Sequence, residues 1–113
     1  MSQIGLKEYL EVLKKERPTE ILEYNDSAPL DYFMTSLVLE LDKRDEYPVV
    51  LLKNIEGSSI PVVANLFASR DRIAHMLGTT VQKFSERWVK AENNPIKPQE
   101  IPDGPVKEFI QIE

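Results

Sequence analysis

The chain's single histidine is the first candidate for chemistry, since histidine is the commonest general acid or base in enzymes. His75 lies in a predicted helix, and the carboxylate that helical spacing brings nearest to it is Asp71, four residues earlier. One interpretation makes His75 a general base or a ligand. We favour the other, in which His75 is a surface or half-buried helix residue that pairs with Asp71 and has no catalytic role.

Two arginines flank Asp71 where this helix is predicted to begin after a Ser69 cap. Arg70 and Arg72 could bind a phosphate or carboxylate, because the N–H groups and dipole of a helix N-terminus also attract anions. The same pattern is typical of a solvated helix end that carries an ion pair, and we favour that interpretation.

Other polar and aromatic groups give weaker signals. Acidic residues cluster in two places, but paired carboxylates perform acid–base catalysis only when their surroundings separate their pKa values, and these lie in charge-rich loops or on a solvated face. Phe84 and Trp88 could stack on a flat ligand, although core or interface positions are commoner at this spacing. Gly57 lacks the further glycines and the lysine of a phosphate loop. The acidic clusters are Asp42, Asp45 and Glu46, and Glu16, Glu20 and Glu23.

Composition narrows the class of protein. The chain has 113 residues, a net charge of −5 and no cysteine, which predicts one domain without disulfides or thiolate metal sites. The acidic balance gives no reason to expect nucleic acid or an anionic membrane as a partner. No apolar run approaches membrane-spanning length and no signal peptide is evident, so we expect a cytoplasmic protein.

Hydrophobic periodicity and turn residues predict the order α-β-α-β-β-α-α-linker-β, an α+β fold with about four strands and about four packing helices. We expect a domain over residues 1–94, a proline-punctuated linker over 95–105 and a terminal strand over 106–113. The predicted helices cover residues 5–16 and 30–44, a stretch from Arg70 to Gly78, and one from Thr79 or Thr80 to about residue 93. The predicted strands cover residues 20–24, 49–52, 60–66 and 106–112, the second and third forming a hairpin.

Five segments in order resemble the N-terminal region of UbiD-type decarboxylases. The most specific is PVVANLFASRDRIAHMLG at 61–78, which is similar to the family's PVVANLFGSRERIA. The others are LKEYLEVL at 6–13, ILEY at 21–24, VVLLKNIEG at 49–57 and DGPVKE at 103–108, the last resembling an entry into the catalytic part. The second helix departs from the family, since Met34, Thr35 and Ser36 replace a stretch richer in alanine and glutamate.

The resemblance implies a carboxy-lyase that decarboxylates or carboxylates unsaturated or aromatic acids. It also implies prenylated FMN, with manganese and potassium at the flavin phosphate, for the complete enzyme. In the family, a Glu-Arg-Glu constellation and the flavin and metal ligands lie beyond the PVKE-like junction. We therefore assign no catalytic, cofactor-binding or metal-binding residue to this chain, and expect residues 106–113 to enter a catalytic region outside it. Asn65, Arg70, Arg72 and His75 are interpreted as residues that shape and attach the domain.

Two functions remain open. In the first, the chain is a non-catalytic N-terminal part or small subunit of a UbiD-type decarboxylase, docked on a chain that supplies the flavin site. In the second, it is an independent assembly or regulatory module, as Met1 and a core without an active site suggest. In either case the terminal strand is expected to present an unpaired edge that joins a catalytic partner or a second copy.

Overall fold

Strand β2 (Val49–Leu52) is the centre of the structure, a computed structural model that describes residues 5–112. It pairs in parallel with β1 (Ile21–Tyr24) and antiparallel with β3 (Val62–Ala64), in the order β1-β2-β3. All four residues of β2 are buried, as the unbroken apolar run predicts for a strand covered on both faces. The central position of β2 and its hairpin with β3 confirm the predictions.

The two faces of β2 contact different helices, because successive side chains of a strand point to opposite sides. Val49 packs with Tyr9, Leu10 and Leu13 of α1 (Leu6–Glu16). Val50 and Leu52 pack with Leu41 of α2 (Phe33–Asp42). Helix α3 (Arg70–Met76) lies on the α1 side, where Met76 joins the same cluster, and α4 (Phe84–Asn93) follows it.

The ends of α3 follow their sequence signals. Ser69 is the N-cap, and its Oγ accepts a hydrogen bond from the Arg72 N–H at 3.2 Å. Gly78 has a φ of 65°, the left-handed conformation that stops a helix at little steric cost for glycine. This segment forms the strand, turn and capped helix that its sequence predicts, although β3 is shorter than the predicted 60–66.

Two helices begin later than predicted, one because of hydrogen bonds to a distant segment and the other because of local turns. Ala28 bonds to the β2–β3 connection, donating to the Asn54 carbonyl at 2.8 Å and accepting from the Glu56 N–H at 2.9 Å. Tyr32 has a φ of 58°, so the chain becomes helical only at Phe33. Helix α4 begins only at Phe84, because the Thr79 N–H bonds back to the Ala74 carbonyl at 2.9 Å at the end of α3, and the Lys83 N–H bonds to the Thr80 carbonyl at 3.1 Å in a separate turn.

The predicted terminal strand is wrong. Pro105–Lys107 form a 3₁₀ turn, and residues 108–112 have no regular secondary structure. A strand needs hydrogen bonds from a neighbour, and neither edge of the described sheet pairs with this segment, so the sheet has three strands within residues 5–112. Residues 95–104 also lack regular structure. The radius of gyration is 17.5 Å, above the roughly 13 Å of a compact 100-residue domain.

None of the helices within residues 5–112 combines the length and the apolar character that crossing a membrane would require.

Leu13 tests the packing of α1 on β2, because its side chain is completely buried. We expect Leu13→Ala to lower the free energy of unfolding by about 2–5 kcal/mol through lost contacts and a residual cavity. Leu39→Ala is the control: Leu39 lies on α2 and is 55% exposed, so its loss should cost no more than about 0.5 kcal/mol. Urea titrations followed by circular dichroism measure both, and equal effects would contradict this packing.

Candidate functional site

Arg72 is the centre of the polar cluster, with only 1% of its surface exposed. Its Nε donates to the Leu66 carbonyl at 3.1 Å, and its Nη2 donates to the carbonyls of Tyr47 at 2.8 Å and Asn65 at 2.7 Å. Its Nη1 lies 3.4 Å from Glu20 Oε1. Four of the five guanidinium N–H groups therefore have partners within the chain, as a buried charge requires.

A chain of alternating charges extends from Arg72 to the protein surface. Glu20 lies between two arginines, since its other oxygen accepts from Arg17 Nη1 at 3.0 Å. Arg17 Nη1 also forms a short ion pair with Asp71. Asp71 raises the pKa of Arg17 by this hydrogen bond, against the opposing effect of burial. This series of ion pairs, from Asp71 through Arg17 and Glu20 to Arg72, therefore holds the start of α3 against the segment between α1 and β1.

His75 forms a second link, which joins α3 to α1. Its Nδ1 lies 3.1 Å from the Tyr9 hydroxyl and its Nε2 lies 2.7 Å from Glu16 Oε2. Burial raises the pKa of the Tyr9 hydroxyl, and nearby Arg72 opposes that rise. The predicted pairing of His75 with Asp71 is wrong: α1 provides both partners of the histidine, and Asp71 pairs with Arg17 instead.

The less favoured interpretation of Arg70 and Arg72, an anion-binding pair, does not fit the structure. Arg70 is exposed whereas Arg72 is buried, so the two guanidinium groups do not converge, and α3 is only seven residues long. The favoured alternative of a solvated helix end is wrong for Arg72 too. The cleft of about 340 Å³ beside Arg72 is lined by two carboxylates, Glu20 and Glu46, and by a guanidinium whose donors serve backbone carbonyls. This arrangement clamps segments of the chain together and leaves little capacity for an anionic ligand.

The other candidates are dispersed. Glu23 pairs with Lys14 of α1 and, at 3.3 Å, with Lys53 after β2. Asp42 is hydrogen-bonded to the Tyr47 side chain, and this carboxylate raises the pKa of the Tyr47 hydroxyl. Phe84 and Trp88 do stack, with ring centroids 6.1 Å apart, but Trp88 is 53% exposed and therefore does not lie in the core.

The described residues do not fit the metal and flavin phosphate that the resemblance implies for the complete enzyme. Across residues 5–112, no three His, Asp or Glu side chains converge where a metal ion could bind. The two arginines nearest the α1–α3 contact, Arg17 and Arg72, are already paired with protein acceptors. We therefore place no step of flavin chemistry on these residues.

Sequence reasoning missed Arg72 as the buried centre, although one signal was present. Arg72 and Met76 are four residues apart on α3, and Met76 belongs to the apolar stripe, so helical spacing places both on the inward face. It also missed Tyr9, Glu16 and Arg17 as partners of α3. Nothing local marks them, because their contacts cross more than 50 residues of sequence.

Comparison with known proteins identifies the class of this fold. Residues 12–92, which are most of the chain, match the family of the 3-octaprenyl-4-hydroxybenzoate carboxy-lyase N-terminal domain. The protein therefore belongs to the UbiD N-terminal domain family, and the family suggested by its sequence is confirmed. Three of the five resembling segments, at 21–24, 49–57 and 61–78, lie within this match.

Two particular relatives are similar to this chain. Anhydromevalonate phosphate decarboxylase of Methanothermobacter thermautotrophicus is 34% identical over 76 residues, which are 67% of this chain and 17% of the relative. An evolved dimeric form of the UbiD-class enzyme HmfF from Pelotomaculum thermopropionicum, solved in complex with prFMN, shares the fold with a TM-score of 0.71 at 20% identity. That match covers 84% of this chain and 21% of the HmfF chain. The chain thus spans about a fifth or less of either relative.

The hydrogen bonds of the Arg72 guanidinium to Glu20 and to three backbone carbonyls form a clamp, and replacement of Arg72 tests it. Arg72→Met should lower the free energy of unfolding by about 3–5 kcal/mol, because Glu20 and three backbone carbonyls lose their donor. Arg72→Lys should also lower the free energy of unfolding, since one ammonium group cannot reach all four acceptors of the planar guanidinium. The matched control is Arg70→Met, two residues away and exposed, with an expected change within about 0.5 kcal/mol. Urea unfolding compares the three, and similar values for Met at both positions would contradict the clamp.

The ion pairs of Glu23 predict a pH dependence. Lys14, with a smaller effect from Lys53, holds the pKa of the Glu23 carboxyl below its usual value of 4.5. A lowered folded-state pKa means that this contribution to stability is present above about pH 4.5 and is lost as the pH falls through the folded-state value. A double-mutant cycle of Glu23→Gln and Lys14→Gln should give a coupling free energy at pH 7 that vanishes in acid. A coupling free energy that stays the same between pH 7 and a pH at which the carboxyl is fully protonated would contradict this assignment.

Proposed function

We propose that this chain is a non-catalytic N-terminal domain or small subunit of a UbiD-type decarboxylase. In this role it docks on a flavin-binding chain or region and supports a flavin site located there. The observation that carries the proposal is the family membership over residues 12–92. The charges of the polar cluster are also engaged in contacts of α3 with the end of α1 and with the segment between α1 and β1.

The size relation supports a role within a larger assembly. The chain corresponds to 17% of the related decarboxylase and to 21% of the HmfF chain. In both, a domain of this kind accompanies roughly four to five times its own length of further polypeptide. A partner that contains this further polypeptide would supply the ligands for a metal and for the flavin phosphate that the described residues lack.

The proposed reaction of the assembled enzyme is decarboxylation, or its reverse, of an unsaturated or aromatic carboxylic acid. The two relatives support this, since one is a decarboxylase and the other is a UbiD-class enzyme in complex with prFMN. Prenylated FMN is accordingly the cofactor we propose for the assembly, with manganese and potassium at its phosphate. When bound, prenylated FMN supplies the electron sink for loss of the carboxylate as CO₂. The residues of this chain act by holding the domain in a fixed shape.

Reconstitution tests the function. The full chain is co-expressed with a UbiD-type flavin-binding chain from the same genome, and flavin absorbance is followed through size-exclusion chromatography. We expect both chains to elute together, and CO₂ release from a panel of unsaturated and aromatic acids to require both. The flavin-binding chain alone is the control.

Two results would count against the proposal. Separate elution together with an unchanged rate of CO₂ release would remove it. Co-elution with no effect on the rate or on flavin content would instead support the alternative, an assembly or regulatory module without a role in the reaction.

A further inference from the structure

Helix α4 is the one α-helix within residues 5–112 that has no buried residue. Its apolar side chains nevertheless lie together: Trp88 and Val89 are about half exposed, and the Phe84 ring stacks on Trp88 at an interplanar angle of 25°. A ten-residue helix is marginal in water on its own, because most helical stability in proteins comes from packing an apolar face. The face of α4 therefore has the composition of a contact surface, and the rest of residues 5–112 does not bury it.

Two hollows meet on this face. One, of about 410 Å³, is lined by Arg70 and Ile73 of α3, by Val81, and by Phe84 and Ser85 of α4. The other, of about 500 Å³, is lined by Phe84, Ser85, Trp88 and Val89. They share Phe84 and Ser85 and so form one surface, which we call the α3–α4 groove. It is mostly apolar, with an aromatic pair at its middle, and such pairs often act as anchors in protein interfaces.

The charge of the groove limits what can fill it. Arg70 is its one charged lining residue, and it is exposed with no ion-pair partner among the described residues. Arg17 and Arg72, by contrast, both pair with carboxylates. An occupant that fits the groove has apolar side chains for the aromatic pair and a carboxylate for Arg70.

A second copy of this chain fits poorly. In a two-fold symmetric contact the same surface patch lies on both sides of the interface. Two grooves facing each other would bring two Arg70 side chains into one interface, and the groove lining contains no carboxylate to neutralise them. The charge pattern therefore favours a different surface as the occupant.

We propose that the α3–α4 groove binds an apolar, carboxylate-bearing segment of the flavin-binding chain, an inference that rests on the proposed function. All the lining residues lie within the region that matches the family, and that region belongs in both relatives to a far longer polypeptide. The groove is therefore part of the family domain, which in both relatives is accompanied by a much longer stretch of polypeptide.

Trp88→Glu tests this proposal, with Leu39→Glu as a matched control. The two side chains are 53% and 55% exposed, but Leu39 lies on α2, on the opposite face of the sheet from α3. The full-length variants are titrated against the flavin-binding chain from the same genome by calorimetry. We expect Trp88→Glu to weaken binding at least tenfold and Leu39→Glu to change it less than twofold. Arg70→Glu should also weaken binding, with a smaller dependence on salt than the unmodified chain shows.

The outcomes separate this inference from the function on which it rests. If the unmodified chain binds and Trp88→Glu binds equally well, the groove proposal is overturned while the proposed function survives. If the unmodified chain does not bind, both fail. Light scattering on the isolated chain completes the test: a dimer that Trp88→Glu dissociates would make a second copy the occupant and would also overturn the proposal. Circular dichroism must show unchanged helix content for each variant.

Discussion

The buried guanidinium of Arg72 is the interaction on which the arrangement of this domain depends. It joins three segments that are distant in sequence: Glu20 before β1, Tyr47 before β2, and the turn from Asn65 to Leu66 between β3 and α3. A charge taken out of water is costly unless its donors are satisfied, so these contacts must form together or not at all. The position of α3 against the sheet is therefore coupled to both loops that precede the paired strands.

The same constraint explains why the residues with the most chemical promise have structural roles. The Arg72 guanidinium donates hydrogen bonds to backbone carbonyls, and Asp71 pairs with Arg17 of the segment after α1. His75 lies between two groups of α1, Tyr9 and Glu16. His75 therefore holds α3 against α1, Asp71 holds it against the segment after α1, and Arg72 holds it against the segments before β1 and β2.

Prediction from the sequence succeeded where the signals were local. The apolar run of β2 and the Ser69 cap of α3 each act within a few residues, and both elements formed as expected. It failed where distant contacts decide the structure, as at Ala28, whose bonds to the β2–β3 connection keep the following residues out of α2. The partners of His75 were missed for the same reason, since Glu16 is 59 residues away. The terminal segment failed because a strand is defined by a neighbour, which its own alternation of apolar residues cannot supply.

The rigidity around Arg72 also bears on the proposed groove. Arg70 and Ile73, which form its α3 wall, lie on either side of Arg72 in sequence, so the clamp that holds Arg72 also holds them. A surface fixed before binding loses little conformational entropy when a partner docks, and more of the contact energy then appears as affinity. The buried clamp and the exposed groove are in this sense two sides of one short helix: the inward side fixes α3 to the sheet, and the outward side gains a defined shape from it.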